Sequence, residues 1–320
     1  MARCLDALLA LDYPHYEIIV VDNASTDDTR TIARGYRTTA PQGGCLRVAC
    51  LDETRRGWPA ARNRAWHYSR APFLANIDAD CFAEPTWLTH LTQALEADEA
   101  AGCAVGRTKV EPGKTLAQRF YAAGDPFNIE RHFDGKGVRT PPWGGGNNLL
   151  RRQVVEAIGG YDALTYTSGA DREFHRRMGQ QTPYRTAYAP QALIWHEARG
   201  SMREFFQQAA RFAADGVLHS QFDPGVAERM RGWKRRHALA IVRHAAAVVY
   251  RGIKLMVGRG TALDVARPFY WSVQASGSIW GCLKGQWRLR RLLRQGRVLD
   301  ASKAPSPADG QPGEEGKGAE

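Results

Sequence analysis

Two carboxylates, Asp78 and Asp80, stand two positions apart at the end of the apolar run Phe73-Leu-Ala-Asn-Ile. In extended backbone, residues i and i+2 point the same way. Paired carboxylates repel unless a cation lies between them, and Mg²⁺ or Mn²⁺ bridging to a diphosphate is a natural occupant. Alone, such a D-x-D is a weak signal and reads first as two solvated acids in a turn. Residues of matching chemistry follow the same order along the chain. Asp22, with Asn23 after it, closes a second apolar run that begins at Glu17. Arg62 follows Gly57-Trp-Pro-Ala-Ala at a helix start, where a guanidinium can grip a phosphate with two hydrogen bonds. Trp143-Gly-Gly-Gly-Asn147, which includes Gly145, lets a ligand approach the backbone closely or else forms a tight turn. Asp171 is a candidate general base or a plain helix N-terminal acid, with Glu173 beside it. His196 ends a late apolar run and is either a metal ligand or a structural histidine.

These residues need elements to position them. Apolar runs at 17–22, 46–51, 73–78, 103–110 and 187–196 predict strands. Helical spacing and caps predict helices over 2–11, 26–37, 59–69, 86–99, 154–158 and 172–179. Residues 112–142 read as a loop or lid. Strands alternating with helices predict an α/β fold with a mostly parallel sheet. Ligands then bind beyond the carboxyl ends of the strands, where Asp22, Asp78 and Asp80 fall.

The ordered set V-V-D-N-A-S-T-D-D-T, G-W-P-A-A-R-N, N-I-D-A-D, G-G-G-N-N-L-L-R-R, G-G-Y-D, A-D-R-E-F-H-R-R and I-W-H resembles glycosyltransferase family 2 over roughly residues 1–215. The resemblance implies a GT-A fold, a Rossmann-like mixed sheet with flanking helices. It implies an inverting enzyme using a nucleotide-diphospho-sugar and a divalent cation, Mn²⁺ or Mg²⁺. Under it, Asp22, Asn23, Arg62, Asp78, Asp80, Gly145 and Asn147 would bind the donor, with Asp22 at the nucleotide base. Asp80 and His196 would hold the metal, and Asp171 would be the catalytic base. Ala170 stands where the family carries the Glu of a Glu-Asp pair. Gln208-Ala-Ala-Arg211-Phe212 only resembles the Q-x-x-R-W of processive synthases. The family pattern also opens on a strand like V-S-V-I-I-P-x-Y-N, central in the sheet, which residues 1–15 do not contain. Its absence predicts a gap between neighbouring strands, and about 20 to 40 further coding residues upstream of Met1.

Charge divides the chain. Residues 1–227 hold 26 Lys+Arg and 26 Asp+Glu; residues 228–297 hold 16 basic residues against Glu228 and Asp264; residues 298–320 hold two lysines and five acids. This predicts a catalytic body over 1–227, a basic amphipathic helical module over 228–297 and a disordered acidic tail over 298–320. In the module, Leu239, Val242, Ala246, Val249, Ile253 and Met256 form one apolar stripe, and Phe269, Val273, Trp280, Leu283 and Trp287 another. Such helices either lie on an anionic membrane surface or pack on the catalytic body with their arginines solvated.

Apolar residues make up 43% of the 320, which excludes a chain disordered throughout, and no apolar run is long enough to span a membrane. Six cysteines without C-x-x-C spacing, and no signal peptide, predict a cytoplasmic protein, at the inner face of the membrane if the helices dock there. The expected acceptor is a glycolipid, lipid-linked sugar or cell-surface polymer. No nucleic-acid-binding motif and no G-x-x-x-x-G-K-[ST] loop occurs, so neither nucleic acid nor a P-loop nucleotide site is expected. The alternative function is a non-catalytic nucleotide-sugar-binding relative or scaffold.

Overall fold

A computed structural model describes residues 1–37, 43–130, 133, 145–163, 169–221 and 224–295. The acidic tail expected over 298–320, and Trp143 of the glycine-rich stretch, lie outside them. The first half alternates as the sequence predicts, apart from one unexpected short strand, β4: α1 (Ala2–Leu9), β1 (Tyr16–Asp22), α2 (Thr29–Tyr36), β2 (Cys45–Asp52), α3 (Trp58–Tyr68), β3 (Phe73–Ile77), β4 (Cys81–Ala83), α4 (Trp87–Glu96) and β5 (Ala101–Val110). Then come α5 (Leu116–Ala123), β6 (Asn147–Arg151), α6 (Arg152–Ile158), α7 (Ala170–Gln181), β7 (Arg185–His196) and α8 (Met202–His219). The chain continues into α9 (Pro224–Met230), α10 (Trp233–Met256) and α11 (Ala262–Arg294).

The strands form a five-stranded sheet in the order β3-β6-β5-β7-β4 and a separate pair β1-β2. β1 and β2 run parallel, as do β5 and β7. β6 runs antiparallel between β3 and β5, so the sheet is mixed. Trp87, Leu91 and Leu95, one turn apart on α4, are fully buried and seat that helix against the sheet. The loop expected over 112–142 contains α5, whose start is a capping box: Thr115 accepts from the Gln118 backbone and the Gln118 side chain accepts from the Thr115 N–H.

The expected gap is present. Among the described residues β1 pairs only with β2 and β3 only with β6, and a cavity of about 530 Å³ lies between β1 and β3. Ile18 and Val20 of β1, Leu74 and Ala75 of β3, and Leu5 and Leu8 of α1 are among its walls. At the amino end of β1, the hydroxyl of Ser69, which follows α3, donates to Glu17 at 2.9 Å. Asn23, Arg62 and Asp78 line the same cavity at their carboxyl ends.

α11 lies on α8 through glycines one turn apart. A Cβ on Gly277, Gly281 or Gly285 would stand 2.4, 2.1 or 2.5 Å from the carbonyl oxygens of Phe206, Ala210 and Ala214. Helix propensity alone makes Gly281→Ala stabilising by about 1 kcal/mol. The contact reverses the sign, because overpacking against fixed backbone costs about 1 to 3 kcal/mol. Calorimetry should therefore show a lower thermal midpoint for Gly281→Ala. A raised midpoint would mean that α11 is not seated this closely.

Candidate functional site

Arg62 sits at the centre of the crevice at the carboxyl ends of β1 and β3. Its guanidinium lies over the Trp58 ring at 4.2 Å and 5.6 Å from the Tyr161 ring centre. Nη2 donates to Asp78 Oδ1 at 2.8 Å. Nη1 is buried and has no hydrogen-bond partner among the described residues. A buried charged donor without an acceptor is costly, so an anion is the expected neighbour. The placement is set locally. The Asn63 side chain donates to the Tyr161 carbonyl at 2.7 Å and accepts from its N–H at 2.9 Å, fixing one ring beside Arg62.

Asp78 and Asp80 are each about half-exposed. β4 pairs with β7 so that Cys81 faces His196, which brings the late histidine beside the D-x-D. His196 Nε2 lies 3.4 Å from Asp80 Oδ2. Its Nδ1 lies 2.6 Å from the Glu197 carbonyl. A carbonyl only accepts, so Nδ1 carries a proton, and Nε2 is the nitrogen that faces Asp80. That is how metal-binding histidines are held. Cys81 completes a cluster whose ligand atoms all lie within 4.8 Å of one another. Burial pushes its thiol well up, so it stays S–H and ill-suited to a hard cation. A carboxylate oxygen beside an oriented imidazole nitrogen fits Mn²⁺ or Mg²⁺.

The glycine turn closes the other side. The Gly145 N–H donates to Asp171 Oδ2 at 3.2 Å. A Cβ there would stand 2.5 Å from Arg62 Nη1 and 3.2 Å from Asp171 Cβ, and a Cβ on Gly146 would stand 2.3 Å from Asp78 Oδ2. Only glycine lets Arg62, Asp78 and Asp171 converge. Asp171 lies in the first turn of α7, and its Oδ1 accepts from the Arg172 N–H at 2.8 Å. Glu173 is used elsewhere, in a buried pair with Arg177 at 2.5 and 2.7 Å. Arg177 in turn donates to the Gly160 carbonyl at 2.7 Å, tying α7 to the turn that carries Tyr161. Ala170 is fully buried in the apolar cluster that includes Phe174 and Leu218, where a glutamate would bury its charge among apolar side chains.

Three expected donor contacts have other partners here. Asp22 is buried and accepts from the Ser25 N–H at 3.3 Å and from Arg30 at 3.0 Å. Hydrogen bonding from Ser25, then the Arg30 guanidinium, holds its carboxyl below the usual range despite burial. Asn23 donates to the Glu53 and Arg55 carbonyls at 3.1 and 2.6 Å and accepts from the Gly57 N–H at 2.6 Å. It ties down the loop that launches α3. Asn147 is buried, accepts from Trp87 Nε1 at 2.8 Å and donates to the Arg107 carbonyl at 3.0 Å. It anchors β6 from behind. Trp58, Tyr161 and Cys81 were not foreseen; the W of G-W-P and the Y of G-G-Y-D were the available signals.

Residues 1–159 match the family model Glycosyl transferase family 2. The glycosyltransferase AglE of Haloferax volcanii is 29% identical over 201 residues, 62% of this chain and 62% of that protein. The O-antigen chain rhamnosyltransferase WbaN of Salmonella anatum is 25% identical over 210 residues, 64% of this chain and 62% of its own. The chain thus spans less than two thirds of the length of these relatives. Mannosyltransferase PcManGT from Pyrobaculum calidifontis, solved in complex with GDP-Man and Mn²⁺, superposes with a TM-score of 0.58 over 86% of this chain and 82% of that one, at 21% identity. That likeness is one of fold, and the fold is GT-A.

Behind Asp171, burial pushes His175 down to about 4, with the Asp171 charge opposing. An unfolded histidine titrates near ~6.5. Between those values the unfolded chain takes a proton that the folded one refuses, so stability falls as pH drops through that window. Thermal melts from neutral pH to pH ~4.5 should show a shallower loss for His175→Gln than for the parent. Identical profiles would mean that His175 is not held neutral.

Proposed function

We propose, from the match of residues 1–159 to the family model Glycosyl transferase family 2, that the chain moves a sugar from a nucleotide-diphospho-sugar to an acceptor hydroxyl, with inversion at the anomeric carbon. The observation that supports this reading most is the buried Nη1 of Arg62, without a hydrogen-bond partner among the described residues, beside the open carboxylates Asp78 and Asp80. An anion alone would suit Arg62 and be repelled by the acids. A cation alone would suit the acids and be repelled by Arg62. A diphosphate bridged to a divalent cation satisfies both.

On this reading Asp80 and His196 hold the cation, Mn²⁺ or Mg²⁺, with Asp78 as the second acid. When bound, that ion neutralises charge on the departing diphosphate. Arg62 grips the diphosphate through the Nη1 edge of the guanidinium that Trp58 and Tyr161 hold in place. Asp171 takes the proton of the acceptor hydroxyl. The acceptor oxygen then bonds to the anomeric carbon as the bond to the diphosphate breaks on the opposite face. Gly145 lets Arg62 and Asp171 approach each other on the donor's side of the crevice. Asp22 stands at the nucleotide base, Asn23 holds the loop beside it, and Asn147 anchors β6 behind the donor. The acceptor is a glycolipid, a lipid-linked sugar or a cell-surface polymer, reached from the cytoplasm.

A second reading, a non-catalytic donor-binding relative, is favoured by Ala170 in place of the family's glutamate and by the split sheet. One set of measurements separates the two. Calorimetric titration with UDP and GDP should show binding in Mn²⁺ that EDTA or Asp80→Ala weakens by at least about tenfold. Asp171→Asn should keep that affinity while donor turnover falls by about 10² to 10⁴. Tight binding with no turnover in the parent chain would favour the second reading. No metal-dependent binding at all would remove both.

A further inference from the structure

We propose that α10 and α11 form a docking face for an anionic lipid bilayer. On α10, Leu239, Val242, Val249, Ile253 and Met256 fall on one stripe and stand 52 to 79% exposed. Within this 24-residue helix only Trp233 is buried. The packed alternative, in which this stripe covers the catalytic body, does not hold for α10. On the neighbouring α11, Phe269, Trp280, Leu283 and Trp287 are also exposed. Large apolar side chains exposed in such number on two adjacent helices mark an interaction site.

The chemistry beside the stripes selects the occupant. Lys254 Nζ lies 4.7 Å from the Tyr250 ring centre, Lys284 Nζ 5.8 Å from Trp280, and Arg291 Cζ 5.8 Å from Trp287. Aromatic rings with cationic heads beside them suit the level of lipid headgroups. Residues 228–297 hold 16 Lys+Arg against two acids, a field that attracts an anionic leaflet. A second copy of the same face would bring like charges together. A nucleic acid would leave the apolar stripes unused. No described helix is long and apolar enough to cross a membrane, so the helices would lie on the surface.

The face is tied rigidly to the crevice. Besides the glycine contacts with α8, Arg288 of α11 reaches Asp215 of α8 at 3.4 Å. Asp215 accepts from the Gly169 N–H at 3.0 Å, and Gly169 caps the helix that begins with Ala170 and Asp171. Docking therefore sets the crevice at a fixed place over the bilayer. Taken with the transferase reading, on which this one step rests, it makes the acceptor a membrane-borne, lipid-linked sugar.

The test is co-sedimentation of the full chain with vesicles of phosphatidylcholine alone and with added phosphatidylglycerol. Binding should be at least about tenfold stronger with phosphatidylglycerol and should weaken with salt. Val249→Glu with Ile253→Glu, both on the exposed stripe, should abolish binding while circular dichroism and nucleotide affinity stay unchanged. Equal binding to both vesicles, no binding to either, or an unaffected double variant would overturn the proposal. So would a lipid-free dimer that the double variant dissociates, which would assign the face to a second copy. Tighter binding to duplex DNA than to the anionic vesicles would also overturn it. Nucleotide binding is read separately, so failure here leaves the transferase reading untouched.

Discussion

Arg62 is the residue on which the rest of the site depends. Its guanidinium is enclosed by Trp58, Tyr161 and a glycine turn, and it satisfies only part of itself on Asp78. A buried guanidinium needs acceptors for its N–H groups, and aromatic rings over its plane add cation–π attraction. Each requirement recruits another element. Asn63 fixes Tyr161, Arg177 fixes the turn before it, and Gly145 fixes Asp171. The candidate base, the phosphate grip and the D-x-D thus belong to one packed unit.

The cation side obeys a different constraint. Asp80 and His196 come from distant parts of the chain, and the pairing of β4 with β7 alone brings them together. The Glu197 carbonyl then selects which imidazole nitrogen is free. With Arg62 on one side and carboxylates on the other, the crevice is matched to a ligand carrying both signs of charge. Beyond it, the exposed face of α10 and α11 reaches the same unit through Arg288, Asp215 and Gly169.

Much of this was legible in the sequence, for a physical reason. A buried strand ending in an acid is a local signal, so Asp22, Asp78 and the alternation around them could be read directly. Gaps between elements were legible only through the family resemblance, and the split between β1 and β3 follows it. Other features depend on tertiary contacts. β4 has three residues and β6 five, too short for periodicity to register. α5 was hidden inside a loop-rich stretch despite its Thr115-Gln118 box. Asn23 and Asn147 carry the same donors and acceptors whether they meet a ligand or a backbone carbonyl, and here they meet carbonyls. The exposure of α10 could not be read at all, because an apolar stripe looks the same facing a core or a bilayer.

The most direct test of a diphosphate and cation seated between Arg62 and the Asp80–His196 pair is pulsed electron paramagnetic resonance of Mn²⁺ bound with UDP or GDP. A ¹⁴N coupling from an imidazole, lost in His196→Ala and retained in His175→Gln, is the expected result. A bound Mn²⁺ with no nitrogen coupling, or one that His196→Ala leaves unchanged, would contradict this assignment.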